Sequence, residues 1–197
     1  MGNRAAMSKT LSKGRGLLRT GLGVMNKVLM VPAFRLGLGP ILGSPVGGYI
    51  MVIKTRGHLS GLTRYTPVNY AIADGCVYCV AGFGQISHWV KNLNAEAQAE
   101  LLLPAGAVAC TTEMVNEPAE KIRMFRRVLI NSGFAAFVFG GINPFSISED
   151  RLRKLAGDYQ VFRFRPQGLG SGPADAGGWL WIWPALMLIA LIWLLYR

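Results

Sequence analysis

TRGHLSGLTRYTPVNYAIADGCVYCVAGFGQISHWVKN, residues 55–92, decides the fold. Asp74-Gly75 separates two apolar runs, Thr66–Ala73 and Cys76–Ala81, and predicts a hairpin with a tight turn, because aspartate and glycine tolerate the positive φ such a turn needs. The preceding turn, Arg56 to Arg64, places two arginines and His58 around Gly57 and Gly61. The run Ala81-Gly82-Phe83-Gly84 follows the second strand and brings exposed amides toward the same sheet end. Glycine-rich amides beside fixed cations suit a phosphate or carboxylate. Two ordinary glycine turns with solvated arginines are the plainer alternative.

Outward from this stretch, the chain reads as a domain with strands and helices. Gly43–Gly48 is a Gly/Pro-rich lead-in loop and Tyr49–Lys54 the first strand. Ser87 caps a short helix to Leu93 that puts Trp89 and Leu93 on one side. Gln98–Leu103 and Ala107–Val115 are strands joined by Pro104-Ala105-Gly106. Pro118 opens a helix over Ala119–Ile130 whose buried face is Ile122, Phe125, Val128 and Leu129, with Arg123, Arg126 and Arg127 outside. Phe134–Ile142 is apolar and uncharged; its role is open between a buried helix or strand packed on the barrel and a cover over a ligand site. A short basic helix begins at Ser148, and Tyr159–Arg165 is the last strand.

Net charge is +11 over 197 residues, yet charged residues make up only 16%. That balance points to a membrane surface or an anionic ligand rather than specific nucleic-acid recognition, for which no zinc-finger, RNA-recognition or helix-turn-helix pattern is present. Cys76 and Cys79 have the CxxC spacing but lie within one strand, where residues three apart face opposite ways. Buried thiols are the expectation, not a redox or metal pair. With only His58 and His88, a multi-histidine metal site is not expected.

Both ends differ from the middle. Residues 1–42 form a basic segment whose first forty residues carry no acid. Leu11, Leu18, Leu22, Met25 and Leu29 share one helical face opposite Lys9, Lys13 and Lys27, a pattern that suits anionic lipid or packing on the domain. Gln167–Gly178 reads as a flexible linker. Trp179–Tyr196 (WLWIWPALMLIALIWLLY) is uncharged, with Trp179, Trp181 and Trp183 at one end and Trp193 and Tyr196 near the other. At about 1.5 Å per residue it spans roughly 27 Å, enough for a bilayer core. Basic residues on its N-terminal side predict a single-pass membrane protein with the domain, residues 43–166, on the cytoplasmic side.

Three blocks carry a resemblance to a known family. They are the turn and strand Thr55–Pro67, the small-residue run Ala81–Gly84, and Trp89-Val90-Lys91-Asn92-Leu93. In order and spacing they resemble the deazaflavin (F420)-dependent nitroreductase family, with weaker similarity to Pro166. The resemblance implies a mainly β fold with helices (α+β), a split β-barrel related to the FMN-binding barrels. It also implies coenzyme F420, whose phosphate and glutamate tail would meet Gly57, His58, Arg64 and the amides of Ala81, Gly82, Phe83 and Gly84. The ring would lie against Thr66, Pro67 and Val68, with Trp89 and Asn92 closing the site. His58-Leu59 stand where many F420-using members carry basic residues, and Phe83 where a polar or basic one is common. FMN, or no cofactor, is therefore the alternative.

No acid–base dyad or nucleophile–base pair is apparent, and none is needed where a cofactor brings the hydride. The expected activity is hydride transfer from reduced F420 to a hydrophobic acceptor such as a quinone or nitroaromatic, at the membrane. A non-catalytic accessory subunit of a membrane complex and a lipid or quinone carrier are the alternatives. Expected partners are membrane lipid, the acceptor, complex subunits and a second copy in a homodimer.

Overall fold

In the computed structural model, six strands close into an antiparallel barrel in the order β1-β2-β3-β6-β5-β4. They are β1 Ile50–Arg56, β2 Thr63–Ala73, β3 Cys76–Ala81, β4 Gln98–Leu103, β5 Gly106–Met114 and β6 Gln160–Leu169. The helices are α1 Val31–Arg35, continuing a π-helical turn Asn26–Met30, then α2 His88–Ala95, α3 Pro118–Asn131, α4 Glu149–Asp158 and α5 Ile182–Leu195. The structure describes residues 24, 26–35, 38–39, 48–82, 84–104, 106–133, 136, 143–170 and 182–196. Most of 1–42, Phe83, Phe134–Ile142 apart from Ala136, and 171–181, which hold most of the expected linker and the start of the apolar run, lie outside those residues.

The β2–β3 hairpin forms as expected. Asp74 (φ 51°) and Gly75 (φ 70°) take the left-handed geometry that matches strand twist in a two-residue loop. β3 is buried on both faces, which explains its unbroken apolar run. Val77, Cys79 and Ala81 enter the barrel core with Phe162, Phe164 and Leu101, whereas Cys76 and Tyr78 pack outside it with α3 and α4. Cys76 and Cys79 therefore sit in different clusters, and all three cysteines are free and buried. Burial pushes the Cys110 thiol up to about 11 and raises that of Cys79 further, so both are protonated near neutrality.

α2 belongs to the barrel core through Trp89, Val90 and Leu93, and Trp89 meets Phe162 edge-on at 5.2 Å. α3 begins as proline geometry favours: Pro118 fills the first turn and the Glu117 carboxylate accepts from the amides of Ala119 and Glu120. Met124, Phe125 and Val128 form its buried face; Ile122 and Leu129 are only partly covered. α1 lays Phe34 over Val52 and Leu102 on the opposite side.

The last strand differs from expectation. It continues past Arg165 to Leu169, and Gly170 then donates to the Ala107 carbonyl at 2.9 Å. Proline cannot donate to a ladder, so by local rules Pro166 disfavours the strand's continuation. The ladder accommodates it with a register shift beside Ala109 and Cys110, where β6 has one extra residue. Residues 167–169, expected to begin the linker, are thus strand.

Among the described residues, no helix is long and apolar enough to cross a membrane. Described α5 has 14 residues, about 21 Å, and its side chains from Leu186 to Leu195 are exposed, as is Tyr196 after it.

An ionic network ties α3 to the barrel wall. Arg163 donates to Glu113 (2.6 Å) and Glu120 (2.8 Å), Tyr78 donates to Glu120 (2.8 Å), and Arg165 also reaches Glu113 (2.6 Å). The Arg163 hydrogen bond, then that of Arg165, holds the Glu113 carboxyl below the usual range. A depressed carboxyl contributes stability that is present above its unfolded value and lost as pH falls through the folded one. The melting temperature is expected to drop as pH falls below about 4.3, less steeply for Glu113→Gln than for the parent chain. Equal slopes would remove Glu113 from the acid response.

Candidate functional site

The barrel opens where β2 loses a neighbour. β1 pairs with β2 from Thr63 to Asn69, whereas β3 pairs with it only from Tyr70 to Ala73. Continuing the Tyr70↔Cys79 register, β3 ends at Ala81, level with Val68. From Thr63 to Val68, β2 has β1 as its only strand partner among the described residues. Thr66, Pro67 and Val68 lie on this edge, half-buried. Pro67, with no N–H to offer, fits a strand with a single neighbour. Unpaired backbone along such an edge is ready to bond the rim of a planar ring.

Two loops flank this edge. After Ala81, Gly82 is exposed and Gly84 has φ 58°, and a Cβ added at either would meet nothing within 4 Å. On the other side, the β1–β2 turn closes on itself: Gly57 donates to the Leu62 carbonyl at 2.9 Å and Gly61 to that of Gly57 at 2.7 Å. Gly57 is buried, and an added Cβ would lie 2.8 Å from Ser60 Oγ and 3.1 Å from the Leu62 oxygen. Arg64 is exposed and donates to Ser60 Oγ at 3.2 Å.

α2 is fastened to that turn by one side chain. Asn92 Oδ1 accepts from the His58 backbone N–H at 3.0 Å and lies 2.8 Å from His58 Nδ1; its Nδ2 donates to Thr55 Oγ1 at 3.0 Å. Trp89, one turn earlier, is 7% exposed and faces the barrel core.

The structure thus bonds His58 to Asn92, with Gly57 and Arg64 on the same turn. Thr66–Val68 form the open edge, and Ala81, Gly82 and Gly84 lie on the loop beside it. Trp89 stands behind them as part of the core, and Phe83 lies outside the described residues. Thr55 and Ser60, which fix Asn92 and Arg64, belong to the first resemblance block, but no role for them is legible there; the structure gives it.

A separate cleft of about 630 Å³ lies over β1, β4, β5 and β6 and includes Arg56, Gly61, Gln98 and Thr111. None of the twelve residues expected to bind cofactor lines it. It shares only the β1–β2 turn with them, through Arg56, Gly61 and Thr63, and is bordered by the Lys54–Glu100 ion pair at 3.0 Å. Its signal was polar alternation along Gln98, Glu100 and Thr111, whose side chains share the outer face of their strands.

The open edge fits a flat heterocycle with an anionic tail. Residues 55–73 and 84–95 contain no aspartate or glutamate, and they carry Arg56, His58, Arg64, His88 and Lys91. Among the described residues, none of these five forms an ion pair with a carboxylate.

A family model described as F420H(2)-dependent quinone reductase matches residues 33–136, a little over half of the chain and the whole of this site. No curated protein matches. Solved structures overlap in part. An F420-H2 dependent reductase is 16% identical, with 59% of this chain and 93% of that one covered and a TM-score of 0.42. A conserved hypothetical protein from Mycobacterium tuberculosis is 13% identical (66% and 78% covered, TM-score 0.45). General Stress Protein 26 from Bacillus anthracis is 11% identical (68% and 89% covered, TM-score 0.42).

Proposed function

Because the chain belongs to the F420H(2)-dependent quinone reductase family, we propose that it reduces a hydrophobic quinone-class acceptor with reduced F420 at a membrane. The observation that carries this reading is the open β2 edge, set between a turn rich in cations and a glycine loop with free space above it. When bound, reduced deazaflavin supplies the hydride. The protein's part is to hold and orient. Arg64 and His58 meet the anionic tail, the Pro67 carbonyl on the side of β2 away from β1 meets the ring's rim, and Gly82 and Gly84 leave room for its approach. Trp89, wedged against Phe162, keeps α2 and therefore Asn92 in place.

Membrane attachment is supported by the exposed apolar surface of α5 and by the uncharged run Trp179–Tyr196 with tryptophans toward both ends. A quinone dissolved in lipid would then be concentrated beside the barrel, which faces the cytoplasm if the basic residues stay inside.

Absorbance titration of the purified full chain with F420 and with FMN tests the cofactor. Saturable F420 binding at about micromolar concentration or tighter, with FMN weaker, is expected. No F420 binding removes the reading. Carbonate washing of membranes from expressing cells tests the anchor. The full chain should stay with the pellet, and release into the wash would show that residues 179–196 do not span the bilayer.

A further inference from the structure

Asn92 is only 3% exposed and uses one end of its amide on His58 of the β1–β2 turn and the other on Thr55 of β1. The His58 backbone N–H can only donate, so the amide atom 3.0 Å away is the oxygen, Oδ1. The same oxygen lies 2.8 Å from His58 Nδ1 and can only accept there, so Nδ1 carries a hydrogen. Neutral His58 is thereby held as the Nδ1–H tautomer, with a bare lone pair on Nε2. The other neutral tautomer, which would offer an Nε2–H, would set two acceptors against each other at 2.8 Å.

An exposed Nε2 lone pair repels an oxyanion. Protonation turns the same atom into a charged donor while leaving the bond to Asn92 intact. The surroundings favour an anion: Arg56 on β1 and Arg64 on β2 flank the turn, and Arg64 is steadied by Ser60. On α2, Lys91 precedes Asn92 and His88 lies one turn before it, on the same side. No carboxylate pairs with any of these groups among the described residues.

We propose that Asn92 makes His58 a proton-operated anion contact, which grips the oxyanion tail of the cofactor only as the imidazolium. Tail binding then takes up a proton at Nε2, and affinity falls as pH rises. Asn92 is a positioning residue: it need not touch the ligand, and it acts by denying His58 the neutral donor form. The inference rests on the F420 reading above.

The test is the F420 dissociation constant of the full chain in detergent, from about pH 5.5 to about pH 8.5, for the parent and His58→Gln. The ligand's own titration is common to both proteins and cancels in their ratio. The parent's affinity is expected to fall about tenfold more than the variant's across that range. The ring without its phosphate and glutamates should show no such difference. The ring with phosphate but no glutamates tells which oxyanion His58 meets, because it keeps the difference only if the contact is to phosphate. Asn92→Ala, which frees the Nε2–H tautomer, should flatten the parent's pH dependence. Should Asn92→Ala fail to fold, nitrogen-15 spectra of the parent's His58 ring at high pH read the tautomer directly. An Nε2–H tautomer, or parallel profiles for the parent and His58→Gln, overturns the inference while F420 binding itself stands. No F420 binding by the parent overturns the cofactor reading and this inference together.

Discussion

Arg64→Ala is expected to weaken F420 binding about 10- to 100-fold while leaving the fold intact. A guanidinium that meets a phosphate or carboxylate contributes about 1.5–3 kcal/mol through charge-assisted hydrogen bonds. Arg64 is placed to do so, since it is exposed and among the described residues its side chain bonds only Ser60. The loss should shrink in high salt, because an exposed charge is screened. Arg64→Lys should restore part of the affinity, keeping the charge but losing the planar fork. Calorimetric titration of both variants, with circular dichroism as a check on folding, measures this. Affinity unchanged in Arg64→Ala would move the tail away from the β1–β2 turn, toward the cleft over β4 and β5.

Phe164→Ala is expected to cost roughly 3–5 kcal/mol of folding stability. Phe164 is fully buried on β6, opposite Val77 on one neighbour and Thr112 on the other, and its side chain fills the barrel interior. Truncation would remove the packing of a whole ring and leave a cavity bounded by three strands, with little scope for collapse. Small domains have about 5–15 kcal/mol in total, so much of the barrel's margin would go. Urea denaturation gives the value; a loss below about 1 kcal/mol would mean that the interior is looser than the packing implies.

Local chemistry made much of the barrel legible. Asp74-Gly75 marks its own turn, Cys76–Ala81 and Gln98–Leu103 have their observed bounds, and Pro118 announces α3. What the sequence concealed depends on contacts between distant segments. Pro166 stops a strand by local rules, and only the partner strand β5 shows that a bulge can absorb it. The candidate site is similar. The glycines and cations of the β1–β2 turn can be read in place, but the His58–Asn92 link joins residues 34 positions apart and exists only once α2 docks on the barrel. The gap along β2 is likewise a matter of where β3 ends: Pro67 marks an edge locally, but the length of the gap depends on the partner strand.

Because Gly170 is still stitched to β5, the eleven residues 171–181 are all that separate the barrel from α5. Fully stretched, they reach at most about 40 Å. Ile182 therefore lies within that distance of Gly170 in any conformation, so whatever α5 is held by and the end of β6 share one neighbourhood.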